Sequence, residues 1–144
     1  MSQAAVNLIR SRFGSQFEDM HGPSDSVPVL CIYDNEPTKE PDVDKQFARL
    51  RVDWTRSYLA GLGNPRFFRD EGLVSVQLFT PQGAGDKILL DLAEEIRTIF
   101  QSLTVSDGGT VVVFQQPRYV RVGAEGPFYQ MNVIVKFWAD FTAA

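Results

Sequence analysis

Gly72-Leu73-Val74-Ser75-Val76-Gln77-Leu78-Phe79-Thr80-Pro81-Gln82-Gly83-Ala84-Gly85-Asp86 is the stretch on which the fold turns. Val74, Val76 and Leu78 alternate against Ser75 and Gln77, the period of a strand with one buried face. Pro81–Gly85 breaks the strand, and Asp86 then stands as the N-cap of a helix reaching about Phe100. Leu89, Leu92, Ala93, Ile96, Ile99 and Phe100 recur at steps of three and four, so the helix buries one stripe. A one-faced strand followed at once by a one-striped helix predicts that the two share a core.

Upstream, residues 2–20 read as a second helix. Val6, Ile9, Phe13, Phe17 and Met20 form its apolar face, Ser2 is its N-cap, Gly14 weakens its last turns, and His21-Gly22-Pro23 ends it. Val27–Tyr33 is a short strand, apolar enough to be interior. Asp34–Gln46, with two prolines, three Asp and two Glu, reads as an exposed loop. Phe47–Tyr58 returns to strand pattern, placing Ala48, Leu50, Val52 and Trp54 opposite Arg49, Arg51, Asp53 and Thr55. Gly61–Pro65 is a turn.

Downstream, Thr110–Val122 and Phe128–Phe141 are strands, the first bent at Gln116-Pro117 and the two joined through Gly123-Ala124-Glu125-Gly126. Strands joined by turns, without regular alternation with helices, predict an α+β fold. Its sheet is mixed and mostly antiparallel, packed on one face by the two helices, in a single domain over residues 1–144.

A chain of 144 residues is long enough to bury a sizeable core, and its 44% apolar and 22% charged content is that of an ordinary globular protein. The net charge of −4 argues against a free-standing nucleic-acid binder, which clusters basic excess on one face. Cys31 is alone, so it forms no internal disulfide, and its apolar neighbours make it a buried small residue. No run approaches the ~18 apolar residues of a membrane span. Met1-Ser2-Gln3 opens without a basic segment, so the expected compartment is the cytoplasm or a particle assembled there.

Chemistry finds little to stand on. His21 is the only histidine, so no His cluster binds a metal, and the one imidazole lies beside a helix-ending Gly-Pro. Gly83-Ala84-Gly85-Asp86-Lys87 sits where phosphate loops are found. The dinucleotide spacing, however, requires glycine where Ile88 stands, and a Walker loop requires a hydroxyl after the lysine. Asp34, Glu36, Asp42 and Asp44 lack the glycine of a calcium loop, whose place Phe47 holds. Asp91, Glu94 and Glu95 share a solvated helix side, with Lys87 four residues before Asp91. No catalytic residue, metal ligand or cofactor site is expected. Arg49, Arg51, Arg66, Arg69, Arg118 and Arg121 are different, because Trp54, Phe67, Phe68 and Tyr119 interleave with them on strands. Arginines and aromatics together are enriched at interface cores, so these ten residues are the candidate contact set, with a plain exposed strand face or a nucleic-acid contact as the alternatives.

Three stretches resemble the tail-terminator family of tailed phages, the lambda-like terminators and related phage tail proteins. They are Leu8-Ile9-Arg10-Ser11-Arg12-Phe13; Phe68-Arg69 through Gly72–Pro81 and Gly83-Ala84-Gly85 to Ile99-Phe100; and Arg121-Val122-Gly123 with Gly126-Pro127-Phe128-Tyr129-Gln130-Met131-Asn132-Val133. The resemblance implies a non-enzymatic virion protein at the tail–head junction, assembled in the host bacterial cytoplasm. It forms a homo-oligomeric ring, a hexamer in the family, which caps the last ring of the major tail tube protein. The ring stops polymerisation and offers the head–tail connector a joining surface, while DNA passes the lumen without specific binding. A head-completion or neck protein of the same particle is the alternative; a small-molecule-binding or hydrolytic domain is the third possibility.

Overall fold

The structure, a computed structural model, describes residues 3–22, 24–25, 27–33, 45–63, 66–83 and 85–143. The predicted N-cap Ser2 and the carboxylates of the predicted acidic loop, Asp34 to Asp44, lie outside these residues.

Helix α1 (Gln3–Phe13) passes into one π-turn (Gly14–Glu18) and one 3-10 turn (Asp19–His21), after which Gly22 is extended. Seven strands and a second helix follow: β1 (Leu30–Tyr33), β2 (Phe47–Gly61), β3 (Arg66–Pro81), α2 (Lys87–Phe100), β4 (Thr104–Asp107), β5 (Thr110–Phe114), β6 (Arg118–Glu125) and β7 (Phe128–Ala143). The fold is α+β, as expected. One seven-stranded sheet runs β1-β2-β3-β7-β5-β4, with β6 also on β7. Only β1 with β2 is parallel. β1 therefore stands at an edge of the sheet and is not an interior strand.

β2, β3 and β7 have 15, 16 and 16 residues; a strand of that length spans roughly 50 Å. α2, at 14 residues, covers about 21 Å. The helices therefore shelter only part of the sheet's length. This explains why the sequence under-reads the strands: residues 55–61 and 66–71 project beyond the helices, where, buried Asp70 apart, no apolar buried face imposes an alternation.

All six residues of the α2 stripe are buried, as predicted. They meet Val74, Val76 and Leu78 of β3 and Met131, Val133, Val135 and Phe137 of β7 in one core. Phe100, Phe114 and Phe137 form a chain of rings at 5.2 and 6.0 Å, and Trp54 meets Phe137 edge-on at 5.3 Å. The rings of Trp54 and Phe137 meet across Gly72, the register partner of both. A Cβ on Gly72 would stand 2.5 Å from the Asp53 carbonyl oxygen and 2.8 Å from the Phe137 ring, so only glycine fits.

The N-terminal helix departs from its predicted face at both ends, and at its start Ala5 is buried while the predicted Val6 is only half-buried. Ala5, Ile9, Phe13, Phe17 and His21 are buried, while Met20 is 66% exposed. Steps of four overshoot a 3.6-residue turn by about 40° each. The wider π-turn beginning at Gly14 takes up that drift, holds Phe17 in line with Phe13 (rings 5.1 Å apart) and puts His21 where Met20 was expected.

Two further expectations are corrected. β4 was missed: Asp107-Gly108-Gly109-Thr110 closes a hairpin with Gly108 at φ 59, a turn signal that the sequence does carry. The bend at Gln116-Pro117 is a break between β5 and β6, which lie one after the other along β7.

Candidate functional site

Alternate residues of β2, β3 and β7 face away from the helices, with the alternation of β2 shifted between Trp54 and Arg56 and between Leu59 and Gly61, and among the described residues no helix covers that side. At one end, Phe47 stacks on Phe79 at 4.3 Å with Phe128 edge-on at 4.9 Å, a small aromatic patch outside the main core. Beyond it two cross-strand rows run Arg49–Gln77–Asn132–Val120 and Arg51–Ser75–Ile134–Arg118, followed by Asp53–Leu73–Lys136. Farther out, Arg69 holds Asp140 with two hydrogen bonds, 2.6 and 2.9 Å, and its guanidinium lies 5.1 Å from the Trp138 ring centre.

Three described carboxylates of this face are held by its arginines. Arg51 bonds Asp53 at 3.1 Å, Arg56 bonds Glu71 at 2.5 Å, and Arg69 bonds Asp140. The Asp140 hydrogen bonds raise the Arg69 pKa, and the Arg56 hydrogen bond lowers that of Glu71. Among the described residues, no ion pair holds Arg49, Arg118 or Lys136. Arg49, Arg118 and Lys136 are exposed.

The ten predicted contact residues are therefore divided. Arg49, Arg51, Arg69 and Arg118 stand on the uncovered face. Trp54 is on the other side, packed on Phe137. Arg66 and Phe67 are exposed at the far end of the β2–β3 hairpin, whereas Phe68 is half-buried and stacks on Phe141 at 5.7 Å. Tyr119 and Arg121 flank α2: the Tyr119 hydroxyl donates to Glu94 at 2.7 Å, and Arg121 approaches Asp86 at 3.9 Å. Trp54, Phe68, Arg69 and Tyr119 thus spend much of their surface inside the chain. Sequence reasoning missed Tyr58, Leu59 and Leu62, which are exposed beside Phe67, Leu62 by 91%. It also missed Lys136, whose neighbours depend on register.

Asp86 occupies the N-cap position of α2, and its carbonyl accepts the Leu90 N–H at 2.9 Å. Its carboxylate makes no capping bond and turns toward Arg121 instead, a departure from the expected side-chain cap. The Lys87–Asp91 pair forms at 3.4 Å. Glu94 accepts from Arg97 and then from Tyr119, which holds its carboxyl down to about 2.

His21 is buried against α2. Its Nε2 lies 2.5 Å from Glu95 Oε2; its Nδ1 lies 3.1 Å from Asp25 Oδ2 and 3.0 Å from the Val27 carbonyl. Burial by itself would lower the imidazole pKa, but the hydrogen bonds to Glu95, Val27 and Asp25 and the Glu95 charge together raise it. Both ring nitrogens face acceptors, so the imidazolium satisfies all of them, and the group works as a clamp between the 3-10 turn and α2. Among the described residues no group of three or more His, Cys, Asp or Glu is placed to hold a metal ion, and no helix is long and apolar enough to cross a membrane.

No protein-family model matches the chain, and no curated protein matches it. Sixteen chains of solved structures match its backbone. One, from a protein whose name states no function, is 18% identical with a TM-score of 0.67, over 100% of this chain and 99% of that one. At that identity the likeness concerns the fold alone.

Proposed function

We propose that this chain is a structural subunit of a tailed-phage particle, a tail-terminator-type protein that works by assembling into a ring on the end of the tail tube. The observation that carries the proposal is the end of the β2–β3 hairpin. Tyr58, Leu59, Leu62 and Phe67 are 36%, 41%, 91% and 41% exposed, on paired strands that run past the helices and, for Leu62, just beyond the end of β2. Large apolar groups gathered on a projecting element mark a contact site. The sequence resemblance supplies the partner class.

Mechanistically the task is to satisfy one side of a repeating interface without regenerating it. A growing tube exposes the same surface after every added ring, and a ring whose two sides differ ends the repetition. Here the hairpin end meets the tube protein, and the rest of the ring turns toward the head connector. The head-completion alternative predicts binding to the portal side and no effect on tubes.

The test is a polymerisation assay. Purified tail tube protein is assembled with and without this chain, and tube lengths are measured by electron microscopy. The expected result is short tubes with density at one tip, and loss of both with Leu62→Ser/Phe67→Ser. Tubes of unchanged length with bare tips would overturn the proposal.

A further inference from the structure

Three parts of the chain meet at His21. Its ring lies 4.8 Å from that of Phe17, its Nε2 reaches α2 at Glu95, and its Nδ1 reaches Asp25 and the Val27 carbonyl on the segment leading into β1. Further bonds gather that segment around the same point. The Val29 N–H donates to the His21 carbonyl at 2.9 Å, the Asp25 N–H to the Gly22 carbonyl at 3.0 Å, and the Val27 N–H to the Asp25 carboxylate at 3.3 Å. β1 itself is four residues at the sheet edge, paired in parallel with Phe47 to Leu50 of β2, and Val29 and Cys31 are buried along it.

The other ionisable groups lining the groove at His21 are Asp25, Glu94 and Glu95. Glu94 is engaged by Arg97 and Tyr119. Glu18 and Asp19 stand on the turns before the imidazole, and Glu18 accepts from the Tyr33 hydroxyl. This acidic setting suits an imidazolium with two N–H donors, whereas a neutral ring has one. With the single proton on Nε2, the Nδ1 lone pair faces Asp25 and Val27. With it on Nδ1, the Nε2 lone pair faces Glu95. Whichever tautomer forms, the bridge from α2 through the ring to the segment is cut.

We infer that His21 is a proton-operated latch, which as the imidazolium ties the segment leading into β1 to α2 and on losing its proton lets that segment and β1 open together. Opening bares the edge of β2 from Phe47 to Leu50, whose N–H and C=O groups are then free to pair with another extended segment. The remaining strands do not pass through the latch and stay closed. The closed chain holds the proton more tightly than the open one, so opening is favoured as pH rises above the open-state value of about 6.5. It levels off once pH passes the closed-state value. The latch depends on neither the ring nor the tube.

Cys31, the chain's only cysteine, reports the opening. Its labelling rate with an aromatic disulfide, divided by the rate of the urea-unfolded chain at the same pH, gives the open fraction from about pH 5.5 to about pH 9. The expected result is a rise of up to about tenfold per pH unit above about 6.5, followed by a plateau. His21→Gln does not titrate and is expected to give a flat profile. Glu95→Gln keeps an acceptor for Nε2 but removes the charge that favours the imidazolium, so its rise is expected at lower pH. Circular dichroism verifies that each variant is folded. Amide exchange by NMR, corrected for the intrinsic rate, locates the opening: Val29 is expected to lose protection with rising pH while Val76 and Val133 keep theirs. A flat wild-type profile would overturn the latch, as would His21→Gln with the wild-type rise or folded Glu95→Gln with the rise at an unchanged pH. Equal loss of protection at Val29, Val76 and Val133 would also overturn it, because the whole chain would then be unfolding. Should Glu95→Gln not fold, the His21→Gln profile and the Val29 exchange decide.

Discussion

The two sides of β7 are built from alternate residues of one strand. Met131, Val133, Val135, Phe137 and Ala139 are exposed by 2% or less beneath the helices, while Asn132, Ile134, Trp138 and Asp140 stay half-exposed and Lys136 is exposed. The first row touches rings and aliphatic chains from four elements; the second touches ion pairs and amides. A sheet of this size folds on the core of one side, which leaves its other side free to be shaped by contact with something else.

The largest effect that sharpens this comparison comes from truncating one residue on each side. Phe137→Ala removes a ring packed on Trp54 and Phe114 and should cost about 3–5 kcal/mol in urea unfolding. Ile134→Ala, three residues earlier on the uncovered side, should cost roughly 1 kcal/mol. Equal losses would mean that both sides are cores and would break the comparison. Next in size is Gly72→Ala, which pushes a methyl against the Asp53 carbonyl and the Phe137 ring. It should cost about 1–3 kcal/mol, visible as a lowered thermal midpoint, and a neutral result would show that β2 can shift away from β3.

The smallest effect is electrostatic and belongs to the covered side. His21 has a raised pKa in the folded chain, so its contribution to stability is full below its unfolded value of about 6.5. That contribution fades as pH rises through the folded value. Thermal midpoints taken from about pH 5.5 to about pH 9 should fall across this range in the wild type and stay flatter in His21→Gln. Parallel curves would remove the clamp between the 3-10 turn and α2.

Much of the covered side could be read from the sequence because burial writes a period. The α2 stripe and the alternation in β3 were predicted residue by residue. Met20 was misplaced because one π-turn changes the phase, and nothing in a list of apolar positions announces it beyond Gly14 at its start. β4 was missed because Val105 is its one apolar residue. The uncovered side was legible only as a set of arginines. Whether an arginine is available depends on its cross-strand neighbour, and Asp140 lies 71 positions from Arg69. A register error of one residue would exchange the two sides altogether.

The central seam has a consequence for how the chain acquires its shape. β2–β3, β4–β5 and β6–β7 are close in sequence and form as local hairpins on a timescale of about microseconds. β3 and β7 instead pair along sixteen positions, from Arg66 with Ala143 to Pro81 with Phe128, and the loop closed between them includes all of α2. Its closure entropy must be met before any rung of that ladder forms, so the slow event in folding is the zipping of two preformed halves. Until it happens, both long strands present open edges to any other chain in the same state, and the fold is at its most vulnerable to aggregation in that interval.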